Sequence, residues 1–127
     1  MRITSIDHIV LTVADMEKTV QFYIEVLGFE LVTFEDNRKA LRFGNQKINL
    51  HQKGHEFEPK ALHPTSGSAD ICFITETYVE DVLKELQAKN IRIIEGIVER
   101  TGALGKIRSV YLRDPDNNLI ELSNYLG

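Results

Sequence analysis

The feature that most constrains this chain is that its second half repeats its first. "IDHIVLTV", residues 6 to 13, is rich in β-branched residues and too short for a typical helix, which predicts a strand. Asp15 then stands as an N-cap, its carboxylate able to accept from an amide of the first turn. Met16, Val20, Tyr23 and Leu27 follow on one helical face, and Gly28 ends the helix as the residue best suited to a left-handed conformation. "FELVTFE" and "KALRFG" read as two strands turning at Asp36-Asn37, and "KINLHQ" as a third. At an offset of 62 (71 − 9 = 62), "ADICFIT" puts Ile71 on Ile9 and Phe73 on Leu11. Thr77 falls on Asp15 and has Glu80 three residues later, the pattern of a capping box. Val79, Val82, Leu83 and Leu86 repeat the apolar stripe, Asn90 falls on Gly28, and "IRII" falls on "FELV". A longer loop at 96–106 moves the offset to 72 (121 − 49 = 72), after which "KIRSVYLRD" and "NLIELSN" complete the copy. The expected fold is α+β, a βαβββ unit written twice: module 1 over about 4–52, a connector over 53–68 and module 2 over about 69–127, within one domain spanning 1–127.

Composition removes several function classes. A net charge of −4 argues against a nucleic-acid binder, which would carry a basic stripe. One cysteine excludes an intrachain disulfide and suits a reducing compartment. The N-terminus lacks the pattern of a signal peptide, and no segment approaches the roughly 20 apolar residues of a membrane span. The expected address is cytoplasmic, with no membrane partner. One stretch, "EGIVERTGALGKIR", reads either as a solvated hairpin or as a lid whose Arg100, Lys106 and Arg108 meet an anionic substrate.

Strand alternation then sorts the polar residues. Ile9, Leu11 and Val13 pack beneath a helix, leaving His8, Val10 and Thr12 on the other face. The same rule puts Asn49 and His51, Asp70 and Cys72, and Glu121 on that face. Glu121 lies in "RDPDNNLIEL" between Ile120 and Leu122, where a carboxylate is costly unless something compensates it. If the modules curve toward each other, His8, Asn49, His51, Asp70 and Glu121 line the inside of a curved mixed-sheet cup with the helices outside. Imidazoles and carboxylates so gathered suit a divalent metal such as Mn, Fe, Ni or Zn. The same set also suits a buried hydrogen-bond network or an ion pair.

"DHIVLTVADMEKTVQFYIEVLGFELV" together with "DPDNNLIEL" resembles the vicinal oxygen chelate superfamily, which includes glyoxalase I, extradiol dioxygenases and fosfomycin-resistance proteins. The resemblance covers the whole chain. It implies paired βαβββ modules around a divalent metal, with His8 and Glu121 at the first-strand and last-strand ligand positions. Asp70 occupies the place where the family carries a His, and His51 is a further candidate ligand. Asn49 stands where glyoxalase I has a Glu, and Thr12 where bacterial enzymes have an Arg that holds glutathione. The implied chemistry is that of a glyoxalase I-like lyase or isomerase. Vicinal oxygens of a small substrate chelate the metal, Glu121 moves a proton, and a metal-stabilised enediolate forms. Tyr111, Asn49, Thr12, Arg100 and Lys106 are the expected substrate contacts. The alternatives are an extradiol dioxygenase-related protein and a non-catalytic small-molecule binder. The expected assembly is a homodimer.

Overall fold

Each half of the chain folds as the repeat predicts: a strand, a helix and three strands. The structure, a computed structural model, describes residues 1–127 and divides into two units, Met1–Ser68 and Ala69–Gly127. The first unit contains β1 (His8–Val13), α1 (Met16–Glu25), β2 (Glu30–Phe34), β3 (Arg38–Phe43) and β4 (Gln46–Gln52). The second contains β5 (Asp70–Ile74), α2 (Val79–Ala88), β6 (Glu95–Thr101), β7 (Lys106–Arg113) and β8 (Leu119–Tyr125). Their sheets run β1-β4-β3-β2 and β5-β8-β7-β6, and in both the first and last strands pair parallel while the others pair antiparallel. The repeat extends to register. Ile9 pairs with Ile48 as Ile71 pairs with Ile120, and Val10 with Asn49 as Cys72 with Glu121.

One face of each sheet is apolar and buried, because alternate residues of every strand point there. In the first unit Leu11, Val13, Leu41, Ile48 and Leu50 fill it, with Tyr23 from α1 fully buried. In the second, Val110, Leu112, Ile120 and Leu122 are buried together with Val79, Val82 and Leu86 of α2. Each helix starts against its own sheet through a carboxamide. Gln52 Oε1 accepts from the Met16 amide (3.1 Å) while its Nε2 donates to the Ala14 carbonyl (2.8 Å). At the equivalent place Asn124 Oδ1 accepts from the Val79 amide (2.8 Å) while Nδ2 donates to the carbonyls of Thr75 and Thr77 (both 2.9 Å).

Local chemistry explains the turns and also two departures from expectation. Asp36 (φ 50°) and Asn37 (φ 63°) are the central residues of the turn between β2 and β3, both in the left-handed region, and the Arg38 amide closes it by donating to the Glu35 carbonyl (3.1 Å). Asp15 caps α1 as expected, accepting from the Lys18 amide at 3.1 Å. Thr77 does not cap α2: the N-cap is Tyr78 without a side-chain bond, and Asn124 supplies the acceptor instead. "IRII" is not a strand either. The strand begins at Glu95, so most of the expected loop at 96–106 is the β6–β7 hairpin, closed at Gly102–Gly105. Its charges and glycines resemble a loop because β6 is a solvated edge strand with a bulge between Gly96 and Val98.

Candidate functional site

In the second unit, the face opposite the core carries Cys72, Glu121, Tyr111 and Glu95 side by side on β5, β8, β7 and β6. Glu121 is half-buried at its centre. Its Oε2 accepts from the Ser109 hydroxyl (2.5 Å) and, more weakly, from Ser123 (3.5 Å), and the two fully buried serines bond each other at 2.7 Å. None of the ion pairs involves Glu121. Its negative charge is therefore held by hydroxyls rather than neutralised by a cation. Burial pushes the Tyr111 phenol above its usual range; Arg100 opposes that shift and Glu121 adds to it. The Arg100 guanidinium lies 5.6 Å from the Tyr111 ring centroid and pairs with Glu95 at 3.2 Å. The Cys72 thiol, 3.3 Å from Ser123 Oγ, is raised in pKa chiefly by desolvation, which disfavours the thiolate. Asp70 is exposed at the start of β5, two residues before Cys72 on the same face.

In the first unit, His8 opens β1 with Nδ1 2.7 Å from Asp7 Oδ1. A carboxylate can only accept, so Nδ1 carries a proton toward Asp7 and Nε2 is left on the outer side of the ring. His51 is different. It is 3% exposed, and its Nε2 lies 3.5 Å from a guanidinium nitrogen of Arg38, on the neighbouring strand. Arginine only donates, so the lone pair of Nε2 faces a cation rather than an open coordination position. Phe57 packs edge-on against the ring at 5.6 Å. Desolvation first, and Arg38 second, hold the imidazole below its ordinary pKa of 6.5. Asn49, two residues back on the same face, is 7% exposed and its Oδ1 has no hydrogen-bond partner.

The structure brings the expected residues together in two sets. His8, Thr12, Asn49 and His51 share one face of the first unit; Asp70, Glu121, Tyr111 and Arg100 share one face of the second. His8 and His51 are four register steps apart, about 13 Å along the strands. Lys106 is spent on the hairpin, donating to Thr101 Oγ1 at 3.1 Å. No group of three or more His, Cys, Asp or Glu side chains in the chain is assembled to hold a metal ion. Taken singly, the donors fit one in kind. His8 has the carboxylate-oriented imidazole typical of a metal ligand, and Glu121 keeps its second oxygen clear of the serines that orient the first. Sequence reasoning missed Ser109 and Ser123, although strand pairing would have aligned them beside Glu121. It also missed Arg38, whose place beside His51 depends on the hairpin register.

The Asp-Pro-Asp-Asn-Asn turn is structural. Buried Asp114 accepts from the amides of Asp116 (2.9 Å) and Asn118 (3.0 Å) and from Asn118 Nδ2 (2.8 Å), while Asn118 Oδ1 accepts from the Ala69 amide (2.8 Å). This network ties the β7–β8 hairpin to the start of β5 and so fixes Glu121 relative to Asp70.

Comparison with known proteins agrees with this architecture. The sequence profile described as Glyoxalase/Bleomycin resistance protein/Dioxygenase superfamily matches residues 5–122. The virulence protein STM3117 of Salmonella typhimurium is 63% identical over 126 residues, covering 99% of this chain and 88% of that protein. Its crystal structure superposes with a TM-score of 0.98, covering 99% of this chain and all of that one. The glyoxalase domain-containing protein RDO1 of Mycosarcoma maydis is 57% identical, over 98% of this chain and 70% of that protein. The metallothiol transferase FosB of Staphylococcus epidermidis is 28% identical, over 96% and 82%.

Proposed function

From membership of the Glyoxalase/Bleomycin resistance protein/Dioxygenase superfamily, to which this chain belongs, we propose that it is a metal-dependent lyase or isomerase of the glyoxalase I type, acting on a small substrate with vicinal oxygens. The observation that carries this reading is Glu121: a half-buried carboxylate, oriented by two buried serines and left without a cation, on the face opposite the core. His8, Asp70 and Glu121 are the residues that would hold a divalent cation, which would supply Lewis-acid polarisation of the substrate oxygens. Glu121 takes a proton from the carbon beside the carbonyl and returns it to the neighbouring carbon. Ser109 and Ser123 donate to the carboxylate and hold it in the orientation that reaches that carbon. Tyr111 walls the same row and, kept protonated, presents a hydroxyl donor to a substrate oxygen. The active species is a homodimer, to whose formation each unit brings an open edge strand, β1 in the first and β5 in the second. The metallothiol chemistry named for the FosB relative is consistent with a metal centre on this fold.

Solvent-deuterium exchange at the α-carbon of hydroxy- and oxo-carbonyl compounds, followed by NMR with metal-loaded protein, reads this chemistry whichever such compound is the physiological substrate. Glu121→Gln is expected to lower the exchange rate by about 100-fold or more, the usual worth of a positioned base, with metal content retained. Unchanged exchange with metal retained removes Glu121 from the chemistry.

A further inference from the structure

Helix α1 is apolar over more of its surface than its sheet covers. Thr19 and Tyr23 are buried, while Met16, Val20 and Ile24 run at four-residue spacing along the helix beside them. With Leu31 of β2 they line a groove of about 380 Å³, within the size range of small-molecule sites. Ile24 (36%) and Leu31 (39%) stay exposed there. Leu31 pairs with buried Leu41, so the groove lies on the helix side of the sheet, opposite the face of His8 and His51. The polar part of the lining is Glu17, Gln21 and Glu25 on α1 and Lys39 on β3. Two neutral acceptors, Thr33 Oγ1 (3.0 Å) and Asn37 Oδ1 (3.1 Å), take the Lys39 ammonium. Two carboxylates and one ammonium leave the groove net negative. The second unit shows what α1 lacks. Glu80, the second residue of α2 as Glu17 is of α1, pairs with Arg108 at 2.5 Å, and Lys89 stands as the C-cap. Glu17 enters no ion pair, and α1 ends on Glu25 with no basic residue in its last turn. A carboxylate at the negative end of a helix dipole is unfavourable, and a cation beside it removes that cost.

We propose that this groove binds a small amphipathic amine, its ammonium beside Glu25 at the C-terminal end of α1 and its apolar body over Val20, Ile24 and Leu31. Covering Ile24 and Leu31 supplies affinity in proportion to the apolar area removed from water. The carboxylate and the helix dipole select the sign of the charge. Gln21 Nε2 donates to Glu25 Oε2 at 3.4 Å and steadies the carboxylate, to which an ammonium adds a charge-assisted bond. An anionic amphiphile of the same shape meets Glu17 and Glu25 as like charges. The site draws on no metal and on no residue of the proposed centre, so it stands apart from the reading of Glu121.

Amide NMR of the full chain in EDTA at neutral pH, titrated with hexylamine, octylamine and octanoate, tests it. Octylamine is expected to shift the amides of α1 and β2 saturably. Hexylamine is expected to bind about fivefold more weakly for its lost methylenes, and octanoate about fivefold more weakly or less still for its charge. Glu25→Lys is expected to reverse the order of octylamine and octanoate. Glu85→Lys, the same charge change at an exposed site on α2, is expected to leave that order as it was. Leu31→Gln is expected to weaken octylamine about fivefold while keeping the preference for the amine. The spectra show whether each variant is folded, and Leu31→Gln carries the test if Glu25→Lys is not. Absence of saturable shifts on α1 and β2, octanoate binding as tightly as octylamine, or an unchanged order in folded Glu25→Lys overturns the proposal. So does unchanged octylamine affinity in Leu31→Gln. Groove amides that shift on dilution without any amine would give the groove to a second copy of the chain and overturn it equally. Because EDTA removes metals, none of these outcomes bears on Glu121, and loss of the metal chemistry leaves this site standing.

Discussion

His51 shows how one side chain records its surroundings in pH dependence. Folding removes its imidazole from water and sets it beside Arg38, with Lys60 adding to the positive field and Glu56 opposing it. Its folded pKa is therefore below the unfolded value of 6.5. Between those two values the unfolded chain binds more protons, so stability rises with pH through that window. The contribution is fully present above 6.5 and is lost as pH falls through the folded pKa. His51→Gln keeps an acceptor for Arg38 but cannot titrate. In metal-free buffer, urea denaturation of the parent is expected to show stability falling as pH drops below 6.5, and the variant is expected to flatten that slope. The burial of His51 was only half legible in the sequence. Alternation along "INLH" assigned its face correctly, whereas the cation beside it and the Phe57 ring over it depend on a hairpin register and on an irregular connector. Neither leaves a periodic trace.

At the scale of elements, the two carboxamides that start the helices carry separate but equivalent loads. Each satisfies one helix amide and donates to carbonyls just before the helix. Gln52→Ala and Asn124→Ala are each expected to cost about 2 kcal/mol by chemical denaturation, since orphan groups remain behind. They act in different units, so the double variant is expected to show the sum. Gly96 tests the bulge. At φ 137° its backbone is outside the range of L side chains, and an added Cβ would lie 2.8 Å from the Val110 Cα. Gly96→Ala is expected to destabilise the protein by about 2 kcal/mol, seen as a lowered denaturation midpoint. These elements also mark where sequence reading worked. The strand faces, the turn at Asp36-Asn37 and the Asp15 cap followed from alternation and turn chemistry, which are local. The α2 cap failed because Thr77 and Glu80 imitate a local motif while the acceptor comes from Asn124, distant in sequence. The start of β6 failed because an edge strand need not be apolar.

At the scale of the molecule, each sheet ends on an open edge strand. β1 pairs only with β4, and β5 only with β8, so each leaves a row of backbone donors and acceptors without sheet partners. Those same strands expose apolar side chains, Val10 at 45% and Ile74 at 55%. Exposed edges of this composition favour association with a second chain unless a charge blocks it. Sedimentation equilibrium is expected to show a dimer, with bound divalent metal measured by mass spectrometry in the same fractions. Ile74→Lys places a charge on the β5 edge without touching the buried core. It is expected to shift the protein toward monomer. An Ile74→Lys monomer that retained its full metal content would mean that His8, Asp70 and Glu121 meet within one polypeptide, and the dimer would then have no part in building the centre.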